Sequence, residues 1–216
     1  MYHRAVVRLY FLCARRPDLT HAQYAAHLLE RHAPLALVHH ATLRRYALNV
    51  VDEALDGAEP IDSVNALEYE SLADFETLNY GSPEGERLVT EDHARFLGRA
   101  AGYATALRVF VAAREPARVK WLCALAARAD LAVELVPEIL AAHPKLTSLA
   151  LARVERKLYP SGADWDAFLE LGFADPAAAP AHPFDSYDCA LSLRRRVGAL
   201  CPERAIWRVT EHVLRA

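Results

Sequence analysis

The 216-residue chain contains no glycine-rich phosphate loop and no Gly-x-Ser-x-Gly elbow. Their absence argues against a nucleotide cradle and against the nucleophile turn of an α/β-hydrolase. Metal-binding patterns are also missing. The 10 His include no HxxxH or HxH with a carboxylate partner. His39 and His40 are adjacent and cannot easily face one site, and His27 and His32 stand five apart, so no metal site is expected. The 4 Cys are Cys13, Cys123, Cys189 and Cys201, with no CxxC pair. Cys13 and Cys123 sit in apolar strand-like runs and read as buried, inert thiols, and a disulfide framework is not expected. Charge of one sign is lacking too, since 25 Lys and Arg face 28 Asp and Glu for a net −3. That balance weighs against nucleic acid and against an anionic membrane. No uncharged apolar run reaches the roughly 20 residues of a membrane helix. Met1-Tyr2-His3-Arg4 leads straight into a strand-like run, so no signal peptide is read and a cytoplasmic location is expected.

What is present is core-forming material. Hydrophobic residues make up 53% and charged residues 25%. That composition excludes a disordered chain, and the length suits two modules of about 100 residues each.

The first expected strand is Ala5 to Ala14, rich in β-branched and aromatic residues and stopped by Arg15-Arg16-Pro17. A helix opens at Thr20, with Gln23 as its capping-box partner. Tyr24, Leu28, Leu29 and Leu35 keep helical spacing, and Pro34 is expected to bend or end the helix near His32. Strands follow at Thr42 to Val51 and Ser63 to Glu70, separated by a polar loop with an Asp56-Gly57 turn. The second helix covers Leu72 to Asn79 and resumes from Pro83 to Arg99. A fourth strand, Tyr103 to Val111, completes a βαββαβ pattern.

After the polar joint Arg114-Glu115-Pro116 the pattern restarts. Val119-Lys120-Trp121-Leu122-Cys123-Ala124-Leu125 sets against Val7-Arg8-Leu9-Tyr10-Phe11-Leu12-Cys13 without a gap. A helix is expected at Asp130 to Ala142 and strands at Leu146 to Leu158 and Trp165 to Phe173. A helix near Tyr187 to Leu200 and a strand at Ala205 to Val213 close the chain. This internal repeat predicts an α+β fold of two ferredoxin-like βαββαβ halves, 1–114 and 115–216, packed as one intramolecular barrel.

Four blocks in the first half carry a resemblance. They are Glu30-Arg31-His32-Ala33-Pro34-Leu35-Ala36, Leu43-Arg44-Arg45-Tyr46-Ala47-Leu48-Asn49, Leu67-Glu68-Tyr69-Glu70-Ser71-Leu72, and Ser82-Pro83-Glu84-Gly85 followed by Glu91-Asp92-His93-Ala94-Arg95-Phe96. Over residues 5 to 112 the chain resembles the EthD-type family of the dimeric α+β barrel superfamily, and the second half reads as a degenerate copy. Ala33 stands where the family usually has Gly, and Ala66 where it often has an acid. The resemblance implies a pocket between helices and sheet for a small organic ligand. It further implies cofactor-free cyclases, dehydratases, isomerases or lyases on aromatic and polyketide-like compounds. Tandem barrels of the same superfamily include haem enzymes, but their distinguishing motifs are not visible here, so no cofactor is expected.

Within those blocks His32 is the candidate acid or base, because imidazole titrates near neutral pH. The plain alternative is a His bonded to a helix-end carbonyl. Tyr46 and Asn49 are candidates to polarise an oxygen, although three residues apart on a strand they point to opposite faces unless a bulge intervenes. Tyr24, Glu68, Tyr80 and His93 are candidate substrate contacts. The bland readings are a solvated outer face for Glu68, which shares a face with Glu70, and a helix-surface position for His93. Trp121, Trp165 and Trp207 fall in second-half strands and read as packing. In the repeat, Tyr46 becomes Leu149 and Asn49 becomes Ala152, while His40 matches His143. The first half is therefore expected to carry the site and the second to act as scaffold. The partner expected is a small-molecule substrate, with a homodimer left open. The alternative to an enzyme is a non-catalytic small-molecule binding or accessory protein.

Overall fold

Strands β1 (Val7–Arg15), β2 (Arg45–Leu55), β3 (Ser63–Tyr69) and β4 (Leu97–Val111) are supplied by residues 7 to 111. Strands β5 (Val119–Ala126), β6 (Ser148–Lys157), β7 (Ala167–Phe173) and β8 (Glu203–Arg215) follow. In this computed structural model, which describes residues 6–126, 129–185 and 190–215, all eight close into one barrel. The order around it is β1-β3-β2-β8-β5-β7-β6-β4, and every adjacent pair is antiparallel. The first four strands run β4-β1-β3-β2 and the last four run β8-β5-β7-β6, the same order in each set. They join through β2–β8 and β4–β6, so no strand in the barrel has a free edge to aggregate.

Alternation along each strand makes two surfaces. Tyr10, Ala47, Val64, Tyr103, Leu122, Ala152, Phe168 and Trp207 fill the barrel interior, one from each strand. The outer face is covered by helices. Leu9, Leu48, Leu67 and Tyr69 pack under helix residues Tyr24, Leu28, Ala36 and Phe96. Trp121, Leu149, Leu171 and Ile206 pack under Leu135, Ile139, Leu193 and Val197. Tyr46 and Leu149 both face helices, and Asn49 and Ala152 both turn toward the barrel.

Helix α1 (His21–His27) starts where capping chemistry predicts, with the Thr20 side chain accepting from the Gln23 N–H and Gln23 reaching back. Pro34 does not end the helix. A π-turn, Leu28–His32, follows α1, and α2 (Ala33–His39) continues from it with Pro34 in its first turn. There a missing N–H costs little, and the wider π-turn absorbs the mismatch. Helices α3 (Leu72–Leu78) and α4 (Pro83–Phe96) are capped by Ser71 and Ser82. Helices α5 (Ala129–Glu134), α6 (Val136–Ala142) and α7 (Ala190–Leu200) cover the second sheet. The expected helix residues 187–189, Cys189 among them, lie outside the described residues. β4 begins six residues earlier than the sequence suggests. Leu97 to Ala100 has weak β-propensity, but pairing with β1 holds it extended. Trp165 falls just before β7 and only partly packs against the barrel interior.

Candidate functional site

The π-turn decides the chemistry of the first-half pocket. On a regular α-helix, residues five apart lie about 140° apart and cannot share a partner. The π-turn brings His27 and His32 to one side, where they flank Asp92 of α4. His27 Nε2 lies 3.0 Å from Asp92 Oδ1, and His32 Nδ1 lies 3.0 Å from Asp92 Oδ2. The His32 Nδ1 proton therefore has an acceptor, and Nε2 makes no hydrogen bond to a described residue. Asp92 is 4% exposed. Burial alone would raise its pKa, but hydrogen bonds from the two imidazoles hold it below the usual carboxylate range. For His32, burial outweighs Asp92 and lowers the pKa to about 4. His93 stacks near it, ring centroids 4.6 Å apart, and burial lowers its pKa to about 4 as well. Both imidazoles are neutral at pH 7 and able to accept a proton.

His32 and His93 line a cavity of about 300 Å³ between α2, α4 and the outer face of the sheet, with Asp92 behind His32. Tyr46, Tyr80, His40 and Asn65 also reach it, and Phe11, Phe75 and Tyr159 supply aromatic walls. The Tyr46 side chain comes up from β2, with no hydrogen bond from its hydroxyl to a described residue. Burial pushes its phenol pKa up, so it stays a donor. Asn65 Oδ1 is buried without a partner, and its amide group donates only weakly, to Cys13 Sγ at 3.7 Å. His40 caps the end of α2 and, like the hydroxyl of Tyr69, is tied to the Asn79 side chain. The matching His143 caps α6 but bonds only the Pro183 carbonyl, 2.8 Å away.

The structure thus brings His32, Tyr46, Tyr80 and His93 together and leaves out three other expected residues. Asn49 turns into the barrel, where its Nδ2 donates to the Val64 carbonyl at 2.8 Å. No bulge in the β2–β3 pairing rotates it back to the Tyr46 face. Tyr24 lies beneath α1, its hydroxyl 2.8 Å from that of Ser63. Glu68 neither lies on a solvated face nor reaches the pocket. It pairs with Arg8 at the barrel mouth, with Arg8 Nε at 2.9 Å from Oε1. His93 is a pocket residue rather than a surface one. Cys13 lines the cavity, and burial raises its thiol pKa to about 12, so it is not a nucleophile.

Asp92 belongs to this site although residue type alone does not single it out, and its signal in the sequence is positional. Gly85, Val89, Asp92 and Phe96 form the buried stripe of α4, so a carboxylate occupies a core position.

Among the described residues, no three His, Cys, Asp or Glu side chains are placed to hold a metal ion. The cavity is at the low end of the roughly 300–1,000 Å³ range of small-molecule pockets.

The fold is a closed, antiparallel α+β barrel with an aromatic-walled pocket under its helices. Residues 16–100 match the EthD domain model. No curated protein matches the chain. Solved structures share its fold along nearly the whole length. An anthrone oxidase-like protein is 10% identical, with TM-score 0.64, 98% of this chain and 94% of that one covered. A candidate monooxygenase from Fusobacterium nucleatum is 7% identical, with TM-score 0.62 and coverages of 99% and 95%. A chlorite dismutase variant from Candidatus Nitrospira defluvii, in complex with cyanide, is 9% identical, with TM-score 0.52 and coverages of 97% and 92%. No described helix is long and apolar enough to cross a membrane.

Proposed function

We propose that this protein is a cofactor-independent enzyme acting on a small aromatic or polyketide-like compound by proton transfer. The supporting observation is the His32–Asp92 pair at an aromatic-walled cavity, with the His32 Nε2 making no hydrogen bond to a described residue. His32 Nε2 takes a proton from a carbon beside a carbonyl, or from a phenol. Asp92 holds the ring and stabilises the imidazolium that forms. Tyr46 donates to the oxygen on which negative charge develops, and Asn65 Oδ1 accepts from a ligand hydroxyl. The carbanion or phenolate then eliminates, cyclises, isomerises or cleaves. The barrel is read as two ferredoxin-like halves, 1–114 and 115–216, with the site in the first and the second a degenerate copy. A purely binding role would leave a neutral imidazole oriented by a carboxylate without a task.

Turnover of a panel of hydroxylated aromatic ketones tests the proposal. A base must be neutral to act. Burial holds His32 and His93 near pH 4, so kcat/KM is expected to rise through about pH 4 and stay flat across neutrality. A rising limb near 6.5, the ordinary imidazole value, would show that neither buried ring is the base.

A further inference from the structure

The last four strands, expected to be scaffold only, place one residue in the pocket. Tyr159 sits in the connection from β6 to β7 and is among the cavity-lining residues. Its seat is built from several independent features. Gly102 of β4 lacks the Cβ that would come within 3.0 Å of both the Tyr159 and Phe11 rings. Gly162, at φ 87°, lets the connection lie on β4, where a Cβ would meet Ala101 at 2.5 Å. The Leu158 N–H donates to the Gly102 carbonyl at 2.7 Å, and the Ser161 hydroxyl to the Ala100 carbonyl at 2.8 Å. Tyr103 donates to the Ala163 carbonyl at 2.7 Å. Lys157 Nζ reaches the Gly162 carbonyl and Asp164, and Arg156 pairs with Glu76 of α3. The connection is thus fastened to β4, and the end of β6 that leads into it is tied to α3.

We propose that Tyr159 is the residue that sets how large a planar ligand this pocket accepts, an inference that rests on the pocket being the ligand site. Its ring stands 6.2 Å from Phe11, which stands 5.9 Å from Phe75, so the three rings form a continuous aromatic wall. Tyr159 is also 41% exposed, so it stands where the cavity meets solvent. A fastened ring at that position stacks on a ligand of about the cavity's size and blocks a longer one. Because nothing beneath depends on it, its removal is expected to leave the fold intact.

The test is binding of phenol, 2-naphthol and 2-hydroxyanthracene to the whole protein, by calorimetry, for wild type, Tyr159→Ala and Tyr159→Phe. Melting temperature is followed in parallel. Wild type is expected to prefer the two-ring probe. Tyr159→Ala is expected to weaken 2-naphthol by roughly three- to tenfold, the scale of one aromatic stack, and to shift preference toward the three-ring probe. Tyr159→Phe is expected to keep the wild-type order. An unchanged order in Tyr159→Ala, with 2-naphthol still bound, overturns the gauge and leaves the pocket reading standing. Failure of wild type to bind any probe overturns the pocket reading and the gauge together.

Discussion

His32→Ala is expected to cut turnover by about 10²–10⁴-fold, the usual contribution of a general base, with little change in melting temperature. The reasoning separates chemistry from packing. His32 is buried beside Phe96 and His93, but its polar atoms are committed only to Asp92. Its loss leaves Asp92 still bonded to His27 and within 3.7 Å of Arg95, so no carboxylate is stranded. Tyr46→Phe is expected to fall in the same direction, since it removes a hydroxyl and no packing volume. His143→Ala is the control. Its imidazole occupies the corresponding cap at the end of α6, where its described neighbours are Phe173 and the Pro183 carbonyl and no carboxylate orients it. Turnover at His143→Ala is expected to stay near wild type. Equal losses at both positions, or unfolding without a rate effect at His32, would mark His32 as structural.

Glu170→Ala is expected to destabilise the barrel by about 1.5–3 kcal/mol, the scale of hydrogen bonds to charged groups, because Arg8 and Lys120 each lose one of two carboxylate partners. Glu170 of β7 points into the barrel and meets Arg8 and Tyr10 of β1 and Lys120 of β5. Lys120 continues to Glu211 of β8 at 2.6 Å. Arg8 and Lys120 are both under a tenth exposed, and without Glu170 each keeps one carboxylate, Glu68 for Arg8 and Glu211 for Lys120. Burial alone would raise the Glu170 pKa, but Lys120 and Arg8 hold it far below the usual carboxylate range. A carboxylate depressed in the folded state gives stability that is complete above its unfolded value, about 4.3, and is lost as pH falls. Urea unfolding is expected to show wild type losing stability below about pH 4, and Glu170→Ala losing less of it there. A Glu170→Ala variant as stable as wild type would show that the network is solvated and contributes little.

Most of the barrel was legible because its signals are local. β-branched runs, the Thr20–Gln23 cap, the Asp56-Gly57 turn and the restart at Val119 each report on a few neighbouring residues. Pairing and burial gave the rest. β4 starts at Leu97 because β1 lies beside it, a fact absent from the sequence of that segment. The site was half legible for the same reason. His32, Tyr46, Tyr80 and His93 stood in recognisable blocks and do meet. Asn49 was misplaced because strand parity sends it to the barrel, a warning already present in its spacing from Tyr46. Glu68 joined a charge network that draws on both sets of strands, which no local window reveals. The π-turn at Leu28–His32 was hidden as well, since periodicity assumes 3.6 residues per turn. Without it, His27 and His32 read as unrelated.

A small aromatic compound is expected to bind against His32 and His93, under α2 and α4. Histidine-labelled protein titrated with 2-naphthol tests it directly by NMR. Ring resonances of His32 and His93 are expected to shift together with saturation, while those of His143 and His182 stay still. Shifts confined to His143 or His182, or none at His32 and His93 at any concentration, would contradict it.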